Sequence, residues 1–531
     1  MNTFHKKVFS HLKIIYQHIL PDEEINNLTD QIFEITPQVK NDDRLENWNE
    51  SDIFLITYGD SIVTAKDKKL KTLKKFVDEF IKPHFNNIHI LPFFPFSSDD
   101  GFSIVDYKKV RDDLGSWEDI ILLSKDYRVM ADIVINHSSK QSEYFREFIR
   151  GNKIYKDFFI AFDKNEGFEK VVRPRSSDLF QEVEISNKKK YLWCTFSHDQ
   201  IDLNFKNPDV LLFFIKLIYL YLDQGINVFR LDAVAFLWKE KGTNCLNLPQ
   251  THEVVKLIRT ILDNYNHNTL LITETNLPNL ENLSYFGNGD EANAIYNFTL
   301  PPLLLWTLLM GDSTALRKWS MSMPPAKEHT TYFNFIASHD GIGLRPTENI
   351  LTDQERDTLI EIVKEFGGVI SNRKKPDGTE TVYELNIALL DAMRGTFKGI
   401  DHMQVERFIA CHAIMLSLEG IPAFYIHSVL GTTNDYELMK KNSQNRSINR
   451  KSWDFNEIKN KLLDDKSINN QVYKSIINLI KIRKKQPAFH PNAIQFTFNL
   501  GKNFFGIWRQ SLDKKQSIFS VTNVTNIFQY L

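Results

Sequence analysis

Eight short apolar runs, separated for the most part by helical stretches, constrain this chain more than any other feature. "DIFLITYGD" (52–60) leads through "KKLKTLKKFVDEFIKPHF" to "NNIHILPFFPF" (86–96). "RVMADIVINH" (128–137), "GINVFRLDAV" (225–234), "TLLITET" (269–275), "AIYNF" (294–298), "TYFNFIASHD" (331–340) and "GIPAFYIHS" (420–428) complete the set. Nearly all are continuous rather than alternating, which is how strands buried on both faces read. Eight of them in succession predict an α/β fold, a (β/α)8 TIM barrel. In that architecture chemistry gathers where the strands end. Four strands end here in His137, Asp232, Glu274 and the pair His339–Asp340. Polar residues that merely begin loops account for one or two of these, and poorly for four.

Two interruptions break the rhythm. Residues 138–205 are too long for a barrel loop and carry their own strand signals, which predicts an inserted lid domain. Residues 341–387 follow the seventh strand and contain Gly367–Gly368 and "PDGT", read as a helix plus a mobile loop over the same mouth. The expected organisation is a helical extension over 1–50, a barrel formed by 51–137 and 206–484, the lid at 138–205, and a small β domain at 485–531 whose strands are "IQFTFNL", "FFGIWRQS" and "QSIFSVTNV".

Charge narrows the partners. With 65 basic and 67 acidic side chains, the net charge of -2 gives no reason to expect nucleic acid or an anionic membrane. The three cysteines, Cys194, Cys245 and Cys411, show neither metal spacing nor a disulfide framework, which fits a reducing cytoplasm. At the start of the chain Phe4, Val8, Leu12, Ile15 and Ile19 recur at helical spacing, so a packing helix is expected there and not an export signal. Aromatic content is 12%, and the flat faces of Phe and Tyr favour a sugar ligand, though a large core uses the same residues.

Arg230 and Asp232 stand two positions apart and share one strand face, where the guanidinium would keep the carboxylate ionised and oriented. Alone, such a pair is an ion pair at a strand edge. With two further carboxylates at the same mouth it points to a glycosidic bond: retaining chemistry needs one ionised carboxylate and one protonated carboxyl, roughly 5 Å apart. Asp232 suits the first part. Glu274, ending the apolar "LLIT", suits the second. Asp340 would face the positive charge of the transition state, and His137 and His339 would bind sugar hydroxyls.

These motifs, "DIVINH", "FRLDAV", "ITET" and "ASHD" in order, with "QIDLN" at 200–204, resemble family 13 of the glycoside hydrolases, the α-amylase family, over residues 50–531. The resemblance implies Asp232 as nucleophile, Glu274 as acid/base and Asp340 as transition-state stabiliser, with His137, Arg230 and His339 around the glucosyl ring. "YNFTLPPLLLW", "SHDGIG" and "NDYELMKKNSQNRSINR" are similar to the sucrose phosphorylase branch, which implies that Asp99 and Arg450 pair to close the far side of a one-glucose pocket beside Phe102. Asn276 and Phe236 depart from the histidine and tyrosine of the sucrose enzymes. "FLWKEKGTNC", "ITETNLPN" and "SYFGNGDEA" look more like that branch's glucosylglycerate-acting members. The reaction so implied is reversible phosphorolysis of 2-O-α-glucosylglycerate to α-glucose 1-phosphate and glycerate. Sucrose, sucrose phosphate or glucosylglycerol as donor, plain α-glucosidase action, and a non-catalytic amylase-like module are the alternatives.

Phosphate and glycerate are anions, so the acceptor side needs cations. The candidates are Lys239, Arg345 and the loop triplet Arg373, Lys374 and Lys375, against the plain alternative of a solvated basic surface. Asn136 matches a calcium ligand of many amylases, but no acidic cluster surrounds it, and no metal or organic cofactor is expected. The expected partners are a small glucoside, phosphate and a glycerate-like acceptor, and the expected state is a monomer or homodimer in the cytoplasm.

Overall fold

The computed structural model describes residues 3–37, 47–185, 188–266, 268–374 and 379–530. Eight parallel strands form a closed barrel: β1 (Phe54–Thr57), β2 (Asn87–Ile90), β3 (Arg128–Val134), β4 (Ile226–Asp232), β5 (Leu270–Thr273), β6 (Ala294–Tyr296), β7 (Thr331–Phe335) and β8 (Ile421–Tyr425). Each pairs with its neighbour in sequence, and β8 closes on β1 through Phe54 against Ala423. Every residue of β1, β2, β5, β6, β7 and β8 is buried, because helices cover the outside and side chains fill the lumen. The continuous apolar runs follow from that double burial.

Two helices precede the barrel, α1 (Thr3–Tyr16) and α2 (Asp22–Ile35). Phe4, Val8, Leu12, Ile15 and Tyr16 of α1 are buried, whereas Ile19 lies beyond its end and is exposed. The Tyr16 hydroxyl donates to the Phe205 carbonyl, and His11 lies 2.6 Å from Glu253 on the barrel helix Pro249–Tyr265, so the extension is bonded to the barrel wall.

Between β3 and β4 the chain builds an insertion. Its root is a ladder in which His137–Ser139 runs antiparallel to Gln200–Asp202. Beyond the root lies a three-stranded sheet of Ala161–Phe162, Lys188–Trp193 and Phe180–Ile185, packed on Trp193 and Phe168. The segment after β7 differs from the expected helix and loop. Helix Asp353–Glu365 is present, but Val369–Lys374 and Glu380–Asn386 pair as antiparallel strands, with Ile342–Gly343 beside the second. The basic triplet therefore begins inside a strand: Arg373 sits opposite Thr381, Lys374 opposite Glu380, and Lys375 lies outside the described residues. After helix Ile468–Arg483, strands Ile494–Phe498, Phe504–Gln510 and Ser517–Asn523 form an antiparallel sheet.

Candidate active site

The C-terminal ends of β3, β4, β5 and β7 and the excursions above them surround one cavity, lined among others by Phe102, His137, Asp232, Glu274, Asn276, His339 and Asp340. Arg230 organises its floor. Buried in the lumen, it donates to Asp132 on β3 and, at 2.8 Å, to Asp232 Oδ1, while its second terminal nitrogen lies 3.9 Å from Glu274 Oε1. Asp132 is held in turn by His89 of β2 at 2.8 Å, so three neighbouring strands, with Glu274 just past the next, supply one connected polar chain. The guanidinium also sits 5.2 Å from the Tyr296 ring centre and 5.7 Å from that of Phe102, which fixes its plane.

Burial pushes the carboxyls of Asp232 and Glu274 upward, and Arg230 opposes the rise at both. Glu274 also accepts from the Ala233 amide at 3.0 Å, at a residue whose φ of 52° turns the chain sharply after β4. Asp340 behaves oppositely. Burial would raise it, but the Arg446 guanidinium 2.7 Å away, with His339 and Arg450 beyond, holds its carboxyl well below the usual carboxylate range. His339 stacks flat on Phe102, with ring centres 5.0 Å apart at 6°, and burial holds it well below the ordinary imidazole value. His137 is lowered for the same reason, and its Nε2 lies 2.9 Å from the Phe102 carbonyl.

Several expected partners are rearranged. Arg450 pairs with Asp100, not with Asp99, while its Nε donates to the His339 carbonyl at 2.8 Å. The cause is local: Asp99 and Asp100 both adopt left-handed φ, 54° and 45°, so the turn presents the second carboxylate to Arg450 and leaves Asp99 on the cavity wall. Gly101 completes that turn at φ 114°, where a Cβ would meet the Pro92 carbonyl at 2.8 Å.

Lys239 does not line the cavity. Its ammonium is buried between Asp202 Oδ2 at 2.6 Å and Asn136 Oδ1 at 2.7 Å, because an ammonium out of water needs such oxygens. It thus occupies the oxygen of Asn136 that resembled a calcium ligand. Among the described residues no group of three or more His, Cys, Asp or Glu could hold a metal. Arg373 faces a neighbouring cavity and pairs with Glu348 at 3.0 Å, and Lys374 is exposed, 3.9 Å from Asp178. Of the candidate cations only Arg345 reaches the main cavity, where it joins Arg175, Arg446, Gln200, Tyr383 and Glu384, which were not singled out from the sequence. Arg446 lay within the quoted "NSQNRSINR" and Gln200 within "QIDLN". Nothing in the sequence marked Arg175, on the insertion, as facing the mouth.

Fold and site together define a carbohydrate-active barrel enzyme with three carboxylates lining one cavity. Residues 79–341 match the family model described as alpha amylase, catalytic domain. The chain is 42% identical to the glucosylglycerate phosphorylase of Spirochaeta thermophila over 482 residues, covering 91% of this chain and 82% of that one. It is 40% identical to the Escherichia coli glucosylglycerate phosphorylase over 495 residues, 91% and 88% of the two chains. The crystal structure of a sucrose 6F-phosphate phosphorylase from Thermoanaerobacter thermosaccharolyticum superposes with a TM-score of 0.77 at 25% identity, covering 90% of this chain and 94% of that one. The chain belongs to the α-amylase family, in its sucrose phosphorylase branch. Among the described residues no helix is long and apolar enough to cross a membrane.

Proposed function

We infer that this protein is a retaining phosphorylase that exchanges glycerate and phosphate on an α-glucosyl unit, with 2-O-α-glucosylglycerate as donor. The observation that carries this reading is the placement of Asp232 and Glu274 on two nitrogens of one buried guanidinium, with Asp340 held ionised nearby. The likeness to the two glucosylglycerate phosphorylases supports the choice of acceptor.

Asp232, in contact with Arg230, keeps the negative charge. Glu274, farther from the guanidinium and equally buried, keeps the proton. Asp232 attacks the anomeric carbon as the bond to the glycerate oxygen breaks, and that oxygen takes the proton of Glu274. Asp340 stabilises the positive charge on the ring in passing. A phosphate hydroxyl oxygen then attacks the same carbon, the bond to Asp232 breaks, and the phosphate proton returns to Glu274. Two inversions leave the α configuration. Asp99, His137, His339 and the Phe102 ring bound the space for one glucose.

The test is synthesis. With α-glucose 1-phosphate as donor, glycerate is glucosylated faster than fructose and the product keeps an α anomeric signal by NMR. A better rate with fructose overturns the substrate assignment, and a β product overturns the mechanism.

A further inference from the structure

Of the guanidiniums around the cavity most contact a carboxylate; Arg175 does not, but it lies 5.6 Å and 5.7 Å from the Phe196 and Tyr383 ring centres and donates to the Pro174 carbonyl. Arg230, Arg446 and Arg450 each contact a carboxylate: Asp132 and Asp232, Asp340 and Glu384, and Asp100. On the neighbouring cavity Arg373 has Glu348 and Arg356 has Asp353. Arg345 lines both cavities, and among the described residues its side chain has neither an ion-pair nor a hydrogen-bond partner; its Nε is buried and unmet. A buried guanidinium N–H without an acceptor is costly, and a carboxylate is the acceptor whose geometry it fits.

A second unmet atom belongs to a residue that lines the same cavity. Asn276, two residues past Glu274, donates from Nδ2 to the Tyr383 hydroxyl at 3.1 Å, which fixes the amide and leaves its Oδ1 buried without a donor. The amide rests on Gly343, where a Cβ would come within 2.7 Å of Nδ2 and 2.8 Å of Oδ1. Gly343 is two residues before Arg345, so the unmet acceptor is packed against the segment that carries the unmet donor.

We propose that Arg345 and Asn276 form a two-point reader of the acceptor: Arg345 takes a carboxylate, and Asn276 Oδ1 accepts from a hydroxyl elsewhere on the same small molecule. The class selected is the polyhydroxy carboxylate, a 2-hydroxy acid with a further hydroxyl. This rests on the phosphorylase reading above and explains how such a site tells glycerate from glycerol, which lacks the charge, and from lactate, which lacks the second hydroxyl.

The experiment measures kcat/KM for glycerate, lactate and glycerol with glucose 1-phosphate as donor, in the wild type, Arg345→Gln, Arg345→Lys and Asn276→Ala. Ratios between acceptors are taken within one preparation, so the active fraction cancels. Arg345→Gln should lower the glycerate-to-glycerol ratio by about 100-fold, with Arg345→Lys in between. Asn276→Ala should lower the glycerate-to-lactate ratio about 10-fold and leave the glycerate-to-glycerol ratio near its wild-type value, because glycerol keeps the second hydroxyl and loses the same contact. If the wild type glucosylates glycerate but both Arg345 variants keep the glycerate-to-glycerol ratio within about twofold, the reader is wrong while the function stands. If the wild type forms no glucosylglycerate, the function itself fails. An Asn276→Ala enzyme that discriminates lactate as well as the wild type removes the hydroxyl contact.

Discussion

At the residue scale the decisive groups are those that set charge at the cavity floor. Replacing Asp232 by Asn should leave the fold intact and reduce turnover by several orders of magnitude, since a neutral amide does not attack the anomeric carbon. Mass spectrometry after reaction with a slow fluorinated glucosyl donor should place the trapped sugar on the Asp232 peptide, and a label on another carboxylate rejects the assignment. Arg446 governs the ionisation of Asp340. It opposes the burial of Asp340 and keeps that carboxyl ionised far below neutral pH. In Arg446→Met the largest charge opposing burial is gone and His339, Arg450 and Arg230 remain, so the Asp340 pKa rises and the acidic limb of the kcat/KM profile should move to higher pH; an unmoved limb would show that Asp340 does not depend on this arginine. The three carboxylates could be read from the sequence because each ends or closely follows a barrel strand. The arginine partners could not: Arg446 and Arg450 lie four apart on an irregular turn, and adjacent Asp99 and Asp100 exchange roles through two left-handed φ angles that no periodicity reveals.

At the element scale the fold spends most of its irregular structure on one rim. The eight strands were legible because double burial removes polar alternation. The excursions were only partly so, since a hairpin such as Val369–Lys374 with Glu380–Asn386 carries a mixed pattern in which Tyr383 and Glu384 face the cavity and Arg373 faces away. The insertion is tied at its root by Lys239, whose ammonium joins Asn136 after β3 to Asp202 on the returning strand. Lys239→Met would leave the Asp202 carboxylate buried with the Asn136 amide and Thr195 as its remaining partners. The expected cost is about 3–5 kcal/mol, read as a lower Tm by calorimetry and as faster proteolytic cleavage within 140–200. An unchanged Tm would mean that the root does not need the cation.

At the scale of the whole molecule, the N-terminal helices belong to the barrel's packing. Besides the five buried residues of α1, Ile25, Leu28 and Ile32 of α2 are covered. Removing residues 1–36 would bare that interface at roughly 1.5–3 kcal/mol for each large apolar side chain, so the truncated chain should aggregate on expression, which size-exclusion chromatography checks directly. Closing the ring through β1 and β8 bears on how the protein is made. Synthesis runs from the N-terminus, and β1 emerges first, yet one of its two neighbours is β8, so Phe54 has no partner on that side until Ala423 has been translated. Throughout that interval a half-built sheet offers open edges to other nascent chains. The carboxylates at the end of β4, just past β5 and past β7 are all synthesised before the seam can close, but Arg446 and Arg450, which hold Asp340 and Asp100, come after it. A ribosome-bound chain therefore carries every one of these acids while still lacking the cations that pair with Asp340 and Asp100, until translation has passed Arg450.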